Sequence, residues 1–137
     1  ERILIPIIED HDGILLKVEG DSFLVIFRNV GKAIQCSITM QRILIDYNTN
    51  KPVEEQVLLC IGLGYGPMLR IGDTDVFGAE VNASSKLGED TAEAWEILAT
   101  EAVIEKSHDI RGISFQEIDD VPPGAGKAYR ILYSLEG

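Results

Sequence analysis

Asp75-Val76-Phe77-Gly78-Ala79-Glu80-Val81-Asn82-Ala83-Ser84-Ser85-Lys86 is the stretch on which the reading of this chain turns. Residues 77–86 read as a helix that begins near the glycine, and on it Asn82 and Lys86, spaced i, i+4, share one face and can meet one ligand. A second motif far upstream, Lys17-Val18-Glu19-Gly20-Asp21, also sets charges beside glycine in apolar, strand-like text. Polar groups in such surroundings need partners to offset their desolvation, so the two motifs look like halves of one site for a polar ligand.

Around them the chain alternates between helix and strand patterns. Ile3, Leu4, Ile7 and Ile8 mark a short opening helix, with Pro6 in its first turn and Asp12-Gly13 as its stop. Residues 14–17 and 23–27 read as strands joined by a tight hairpin through Glu19, Gly20, Asp21 and Ser22. Val30, Ala33, Ile34, Ile38, Gln41 and Ile45 recur at helical spacing until residues 48–52 break it. Residues 57–63 are nearly all apolar, as in a strand covered on both faces, and a second strand is expected over 68–71. Residues 95–98 read as a strand, Thr100 starts a short helix with Glu101 in its first turn, and 113–118 and 129–135 are closing strands joined by a loop over 121–127. This alternation predicts one α+β domain over residues 1–137, a mixed sheet with helices packed on one side.

Composition narrows the partners. The 137 residues are 45% apolar, enough for one real core. Twenty-three acids against 12 bases give a formal charge of -11, which repels nucleic acid and anionic membrane surfaces. No stretch approaches the roughly 18 apolar residues of a membrane span and no signal peptide opens the sequence, so the expected setting is cytoplasmic, with any membrane anchor of a parent protein lying elsewhere. Cys36 and Cys60 form no metal or disulfide spacing and are expected to be buried, reduced thiols. Neither His11 nor His108 has a serine or cysteine beside it in a nucleophile setting, which argues against a catalytic triad.

Lys17 donates three protons and Asp75 only accepts, so facing one pocket they match the ring nitrogen and exocyclic amine of an adenine edge and mismatch guanine. Each taken alone also reads as an ordinary exposed charge. Asp21 is a hard oxygen ligand suited to Mg2+ or Mn2+ beside phosphate, and equally an ordinary turn residue. Asn82 can orient a ribose and Lys86 can offset developing phosphoryl charge; a solvated helix face is the plainer reading. Gly62, Gly64 and Gly66 lack the lysine and the strand-to-helix context of a phosphate loop and point instead to close backbone approach at a strand end. Lys127, in the Pro122-Pro123-Gly124-Ala125-Gly126-Lys127 loop, can reach phosphate or simply cap a surface loop.

These blocks, from His11-Asp12-Gly13 through Lys17 and Phe27, across residues 61–67, then 75–87 and 97–103, resemble the class III adenylate/guanylate cyclase catalytic domain in the family's own order. The resemblance implies a ferredoxin-like, mostly antiparallel sheet and cyclisation of ATP to 3',5'-cyclic AMP and pyrophosphate with two Mg2+ or Mn2+ ions. It also implies a head-to-tail homodimer that closes the site between subunits. On it, Lys17 and Asp75 correspond to the adenine-selecting pair, Asp21 to one of two metal-binding aspartates, and Asn82 to the transition-state asparagine. Lys86 stands where the family usually has arginine, and Glu19 where an apolar residue is common. The family's first strand, with its Asp-x-x-Gly-Phe-like metal motif, has no counterpart between Glu1 and Gly137. Two rival readings follow: a degenerate cyclase-like module that binds nucleotide or only dimerises in signalling, and a plain α+β interaction domain.

Overall fold

The computed structural model describes residues 3–19, 22–66, 69–71, 75–107, 110, 112–119 and 127–134. Helix α1 (Leu4–Asp10) buries Leu4, Ile7 and Ile8, the i, i+3, i+4 face read from the sequence. It ends where Asp12 turns into the left-handed region at φ 62°, tied by its carboxylate to the Lys32 ammonium. That ion pair holds the Asp12 carboxyl below the ordinary carboxylate range. Strands β1 (Ile14–Glu19) and β2 (Ser22–Ile26) form the expected antiparallel hairpin, from Ile14 opposite Ile26 to Glu19 opposite Ser22. Its register shifts between Leu15 and Lys17, a bulge that leaves Leu16 unpaired and buried.

Helix α2 (Val30–Asn48) is capped by the Asn29 side chain, which accepts from the Lys32 N–H at 3.1 Å. Two faces of it bury two clusters. Ile34 and Ile38 pack with Ile61, Ile97, Ala99, Val103 and Ile131, whereas Cys36 and Leu44 pack with the apolar face of α1. Burial pushes the Cys36 thiol up to about 11. The amides Gln41 and Asn48 face the segment that follows. Val57 both donates to and accepts from the Asn48 amide, at 2.9 and 2.8 Å, and Gln41 Nε2 donates to the Leu59 carbonyl at 3.0 Å.

That arrangement corrects the expected strand over 57–63. Only β3 (Ile61–Leu63) is strand, because the backbone of residue 57 is satisfied by a helix side chain rather than by a ladder. Val57 and Leu58 are 40% and 56% exposed, so the segment is not covered on both faces. Cys60 is likewise exposed, contrary to the expectation of two buried thiols.

Strands β4 (Leu69–Ile71) and β5 (Asp75–Phe77) form a second antiparallel pair, and β5 is a strand where the sequence pattern suggested the start of a helix. Phe77 belongs to that strand, and helix α3 (Ala79–Lys86) begins only after Gly78. The helix then widens into a π turn over Leu87–Thr91, closed by Ala92 N–H to the Leu87 carbonyl at 2.7 Å. Strand β6 (Ile97–Thr100), two residues later than expected, is buried at all four positions and leads into α4 (Glu101–Glu105). Strands β7 (Ser114–Ile118) and β8 (Ala128–Leu132) close the fold. The main sheet has the order β3-β6-β8-β7, with β3 parallel to β6 and the other two pairs antiparallel. The α+β class with a mixed sheet stands, and among the described residues the strands assemble as this sheet plus two separate hairpins. Residues of β2 and of the stretch 56–66 line one open cleft of about 1090 Å³, floored by Leu4, Ile8, Val30, Ala33 and Met40.

The contact that seats α3 is backbone against backbone. A Cβ on Gly62 would stand 2.1 Å from the Ser84 carbonyl oxygen and 2.4 Å from the Gly88 nitrogen, and one on Gly64 would stand 2.5 Å from the Glu80 carbonyl oxygen. Glycine is required here by space, which bears out the close-approach reading of these residues. We expect Gly62→Ala to destabilise the fold by about 1–3 kcal/mol, the usual cost of overpacking. Urea unfolding checks it, and wild-type stability in the variant would mean that α3 does not sit on β3 as described.

Tyr133 donates its hydroxyl to the Trp95 carbonyl at 2.5 Å, and burial pushes its pKa up to about 12 from 10. Between those values the folded chain holds a proton that the unfolded chain has lost. The Tyr133 contribution to stability is therefore complete below pH 10 and is lost as pH rises through 12. The loss of thermal stability between pH 10 and 12 should be smaller in Tyr133→Phe than in wild type. Superimposable pH profiles would contradict the assignment.

Candidate active site

Strand β5 delivers the chain through Gly78 directly into α3, whose first helical bond runs from Asn82 N–H to the Gly78 carbonyl at 3.1 Å. One side of α3 and its extension is committed to the core through Ala83 and Leu87, 1% and 0% exposed. The opposite side presents Asn82, Ser85, Lys86 and Glu89, at spacing i, i+3, i+4, i+7, which together line a shallow depression of about 320 Å³. Asn82 and Lys86 are thus brought together as the helix spacing predicted. Ser85 and Glu89 were missed, although the same helical period would have found them.

The Lys86 ammonium lies 3.7 Å from the Asp90 carboxylate, with both side chains more than half exposed. Such a surface pair is worth only about 0–1 kcal/mol, so a phosphate can displace Asp90 at little cost. Glu89 lines the same depression.

The other expected residues are placed by backbone. Lys17 lies in β1 opposite Leu24, directly after the bulge, and Asp75 lies in β5 opposite Ile71. They therefore stand in two different hairpins, and the structure describes their backbone positions without their side chains. Asp21 lies outside the described residues. Lys127 is exposed at the start of β8; its carbonyl accepts from Glu101 N–H at 3.1 Å, and it is not among the residues lining the depression.

Among the described residues no group of three or more His, Cys, Asp or Glu side chains can hold a metal ion. The described donor set therefore does not by itself build a two-metal centre. The Cys60 thiol lines the large cleft, but burial first, and then the Glu96 and Glu93 carboxylates, push its pKa up and disfavour the nucleophilic thiolate. Among the described residues no helix is long and apolar enough to cross a membrane.

Comparison with known proteins agrees with this architecture. The chain is 26% identical over 115 residues to "Putative adenylate cyclase 3" of Rhizobium meliloti (strain 1021), a match that covers 84% of this chain and 19% of that protein. An adenylate/guanylate cyclase/hydrolase from Silicibacter pomeroyi superposes with a TM-score of 0.79 at 21% identity, covering 95% of this chain and 78% of that one. The catalytic core of a rhodopsin-guanylyl cyclase with converted specificity, in complex with ATPαS, superposes with a TM-score of 0.78 at 18% identity, covering 96% and 77%. At such identities the two superpositions establish the fold, which adenylate and guanylate cyclases share. The family model for the adenylate and guanylate cyclase catalytic domain matches residues 4–137, and the chain belongs to that family.

Proposed function

We propose that this domain converts ATP to 3',5'-cyclic AMP and pyrophosphate. The observation that carries the reading is the unit β5–Gly78–α3, in which one exposed helix face holds Asn82 and Lys86 directly after the strand that bears Asp75. In the reaction the ribose 3'-oxygen gives up its proton and attacks the α-phosphorus; the new oxygen–phosphorus bond forms as the bond to the pyrophosphate oxygen breaks. Asn82 holds the ribose in line through its amide, and Lys86 offsets charge that grows on the phosphoryl oxygens. As an ammonium rather than a guanidinium, Lys86 acts as a point charge without a fork. Lys17 and Asp75 read the adenine edge, and Lys127 approaches the phosphates.

Asp21 serves as a metal ligand in this reading, and the remaining ligands come from residues beyond those described. The cleft between β2 and residues 56–66 has an apolar floor. The active form is a homodimer with the site shared between subunits, and the setting is cytoplasmic. With a net charge of -11, attraction of ATP depends on these local cations rather than on the field of the whole domain.

Two outcomes test the assignment in the native-length protein. It should form cyclic AMP from Mn-ATP in preference to cyclic GMP from Mn-GTP. The pair Lys17→Glu with Asp75→Asn should erode that preference by about tenfold or more, since each mismatched buried hydrogen bond costs about 1–3 kcal/mol. Equal use of both nucleotides by the unaltered protein would refute the base-reading roles.

Asn82→Ala should lower kcat by about 10²-fold while KM moves little, the signature of a contact tightened in the transition state. Lys86→Arg should keep or raise activity by restoring a forked donor. A large loss in a folded Lys86→Arg protein would remove position 86 from the phosphate-facing role.

A further inference from the structure

Glu80 sits inside the Asp75–Lys86 motif without a task in the mechanism above, and the structure gives it more partners than a solvated first-turn acid needs. Its Oε1 accepts from the Tyr65 N–H at 2.8 Å and from the Thr100 hydroxyl at 2.6 Å, joining α3 to two segments 15 and 20 residues away in sequence. Thr100 is 1% exposed and occupies the N-cap of α4, where a threonine oxygen ordinarily accepts from the helix's own backbone. It makes no such cap; its hydroxyl is directed to Glu80.

The glycines on the strand side are shaped to the same residue. A Cβ on Gly64 would stand 2.5 Å from the Glu80 carbonyl oxygen, and one on Gly66 would stand 2.8 Å from Glu80 Cγ. Both the main chain and the side chain of Glu80 are therefore held against residues 64–66. Asn82 lies two residues further along the same helix, and its own backbone nitrogen is bonded to Gly78 across Glu80. A helix start fixed at residue 80 fixes the direction in which Asn82 leaves the surface.

We propose that Glu80 is a positioning residue, whose carboxylate bonds to Tyr65 N–H and Thr100 Oγ1 set the placement of α3 and so of the face that carries Asn82 and Lys86. The consequence for turnover rests on the cyclase reading; the consequence for α3 does not. Loss of one charge-assisted anchor lets the helix start move, and misplacement of about an ångström can cost up to about 10²-fold in rate.

The test uses the native-length protein with Glu80→Ala, Glu80→Gln and Thr100→Val, read by hydrogen exchange over peptides 61–66 and 79–86 and by kcat and KM with Mn-ATP. In Glu80→Ala both peptides should exchange about tenfold faster, and kcat should fall about tenfold with KM within about twofold. Glu80→Gln, whose amide oxygen still accepts both bonds, should recover most of the loss, and Thr100→Val should fall between. A folded Glu80→Ala protein with wild-type kcat would overturn the proposal, and so would a loss that glutamine does not rescue, which would place the charge itself on the substrate. If the unaltered protein forms no cyclic nucleotide, the cyclase reading fails and the exchange data decide. Faster exchange in both peptides with native circular dichroism then supports the anchoring of α3 by Glu80, and unchanged exchange overturns it.

Discussion

Everything at the candidate site depends on a helix lying directly on a strand with no side chain between them. The carbonyls of Ser84 and Glu80 approach Gly62 and Gly64 more closely than any Cβ permits, and Gly88 meets Gly62 in the same way. Removing the side-chain layer has a cost, since glycine loses more conformational entropy on folding than other residues. It is offset by bonds and packing that only close approach makes available: the Glu80 carboxylate on Tyr65 and Thr100, and Ala83, Leu87 and the β6 strand closing beneath. The π turn over Leu87–Thr91 belongs to the same contact, with Gly88 against Gly62 and the Ala92 N–H reaching five residues to Leu87. With its inner side sealed this way, α3 turns Asn82, Ser85, Lys86 and Glu89 to the shallow depression, while Glu80, Val81 and Ser84 line the large cleft.

Most of the element order was legible because the long periodic stretches report their own burial. Leu4, Ile7 and Ile8, and the Ile34, Ile38 and Gln41 row of α2, face the core as the helical period requires. The failures have local causes. Residues 57–60 look like a buried strand by composition alone, and nothing in their own sequence reveals that Asn48 and Gln41, on a preceding helix, will take their backbone groups. Residues 75–77 are too few to show a strand period, and their pairing with β4 is a tertiary fact. Trp95 adopts φ 72°, unusual for a bulky side chain, so the strand expected there starts only at Ile97. At the site, Asn82 and Lys86 were recoverable from i, i+4 spacing. The Glu80 tie was not, since a hydrogen bond spanning 20 residues leaves no periodic trace.

Family membership and local geometry answer different questions here. Membership over residues 4–137 explains why a strand, a glycine and a helix follow one another as they do around Gly78. The fold is shared by adenylate and guanylate cyclases alike, so architecture does not choose the base, and the proposed choice rests on side-chain chemistry at Lys17 and Asp75. On the proposed function, an acidic chain that handles a polyphosphate must also concentrate its few cations where the phosphates lie. Lys86, held only by an exposed partner at 3.7 Å, is one that can be spared.

On the proposed function, the β5–α3 unit and the bulged β1 strand form one nucleotide site. Amide chemical-shift mapping of the native-length protein with a non-hydrolysable ATP analogue and Mg2+ tests it directly. The account predicts saturable shifts at residues 75–86 and at 15–19, with neither set moving alone. Shifts that saturate elsewhere, or at only one of the two segments, would contradict it.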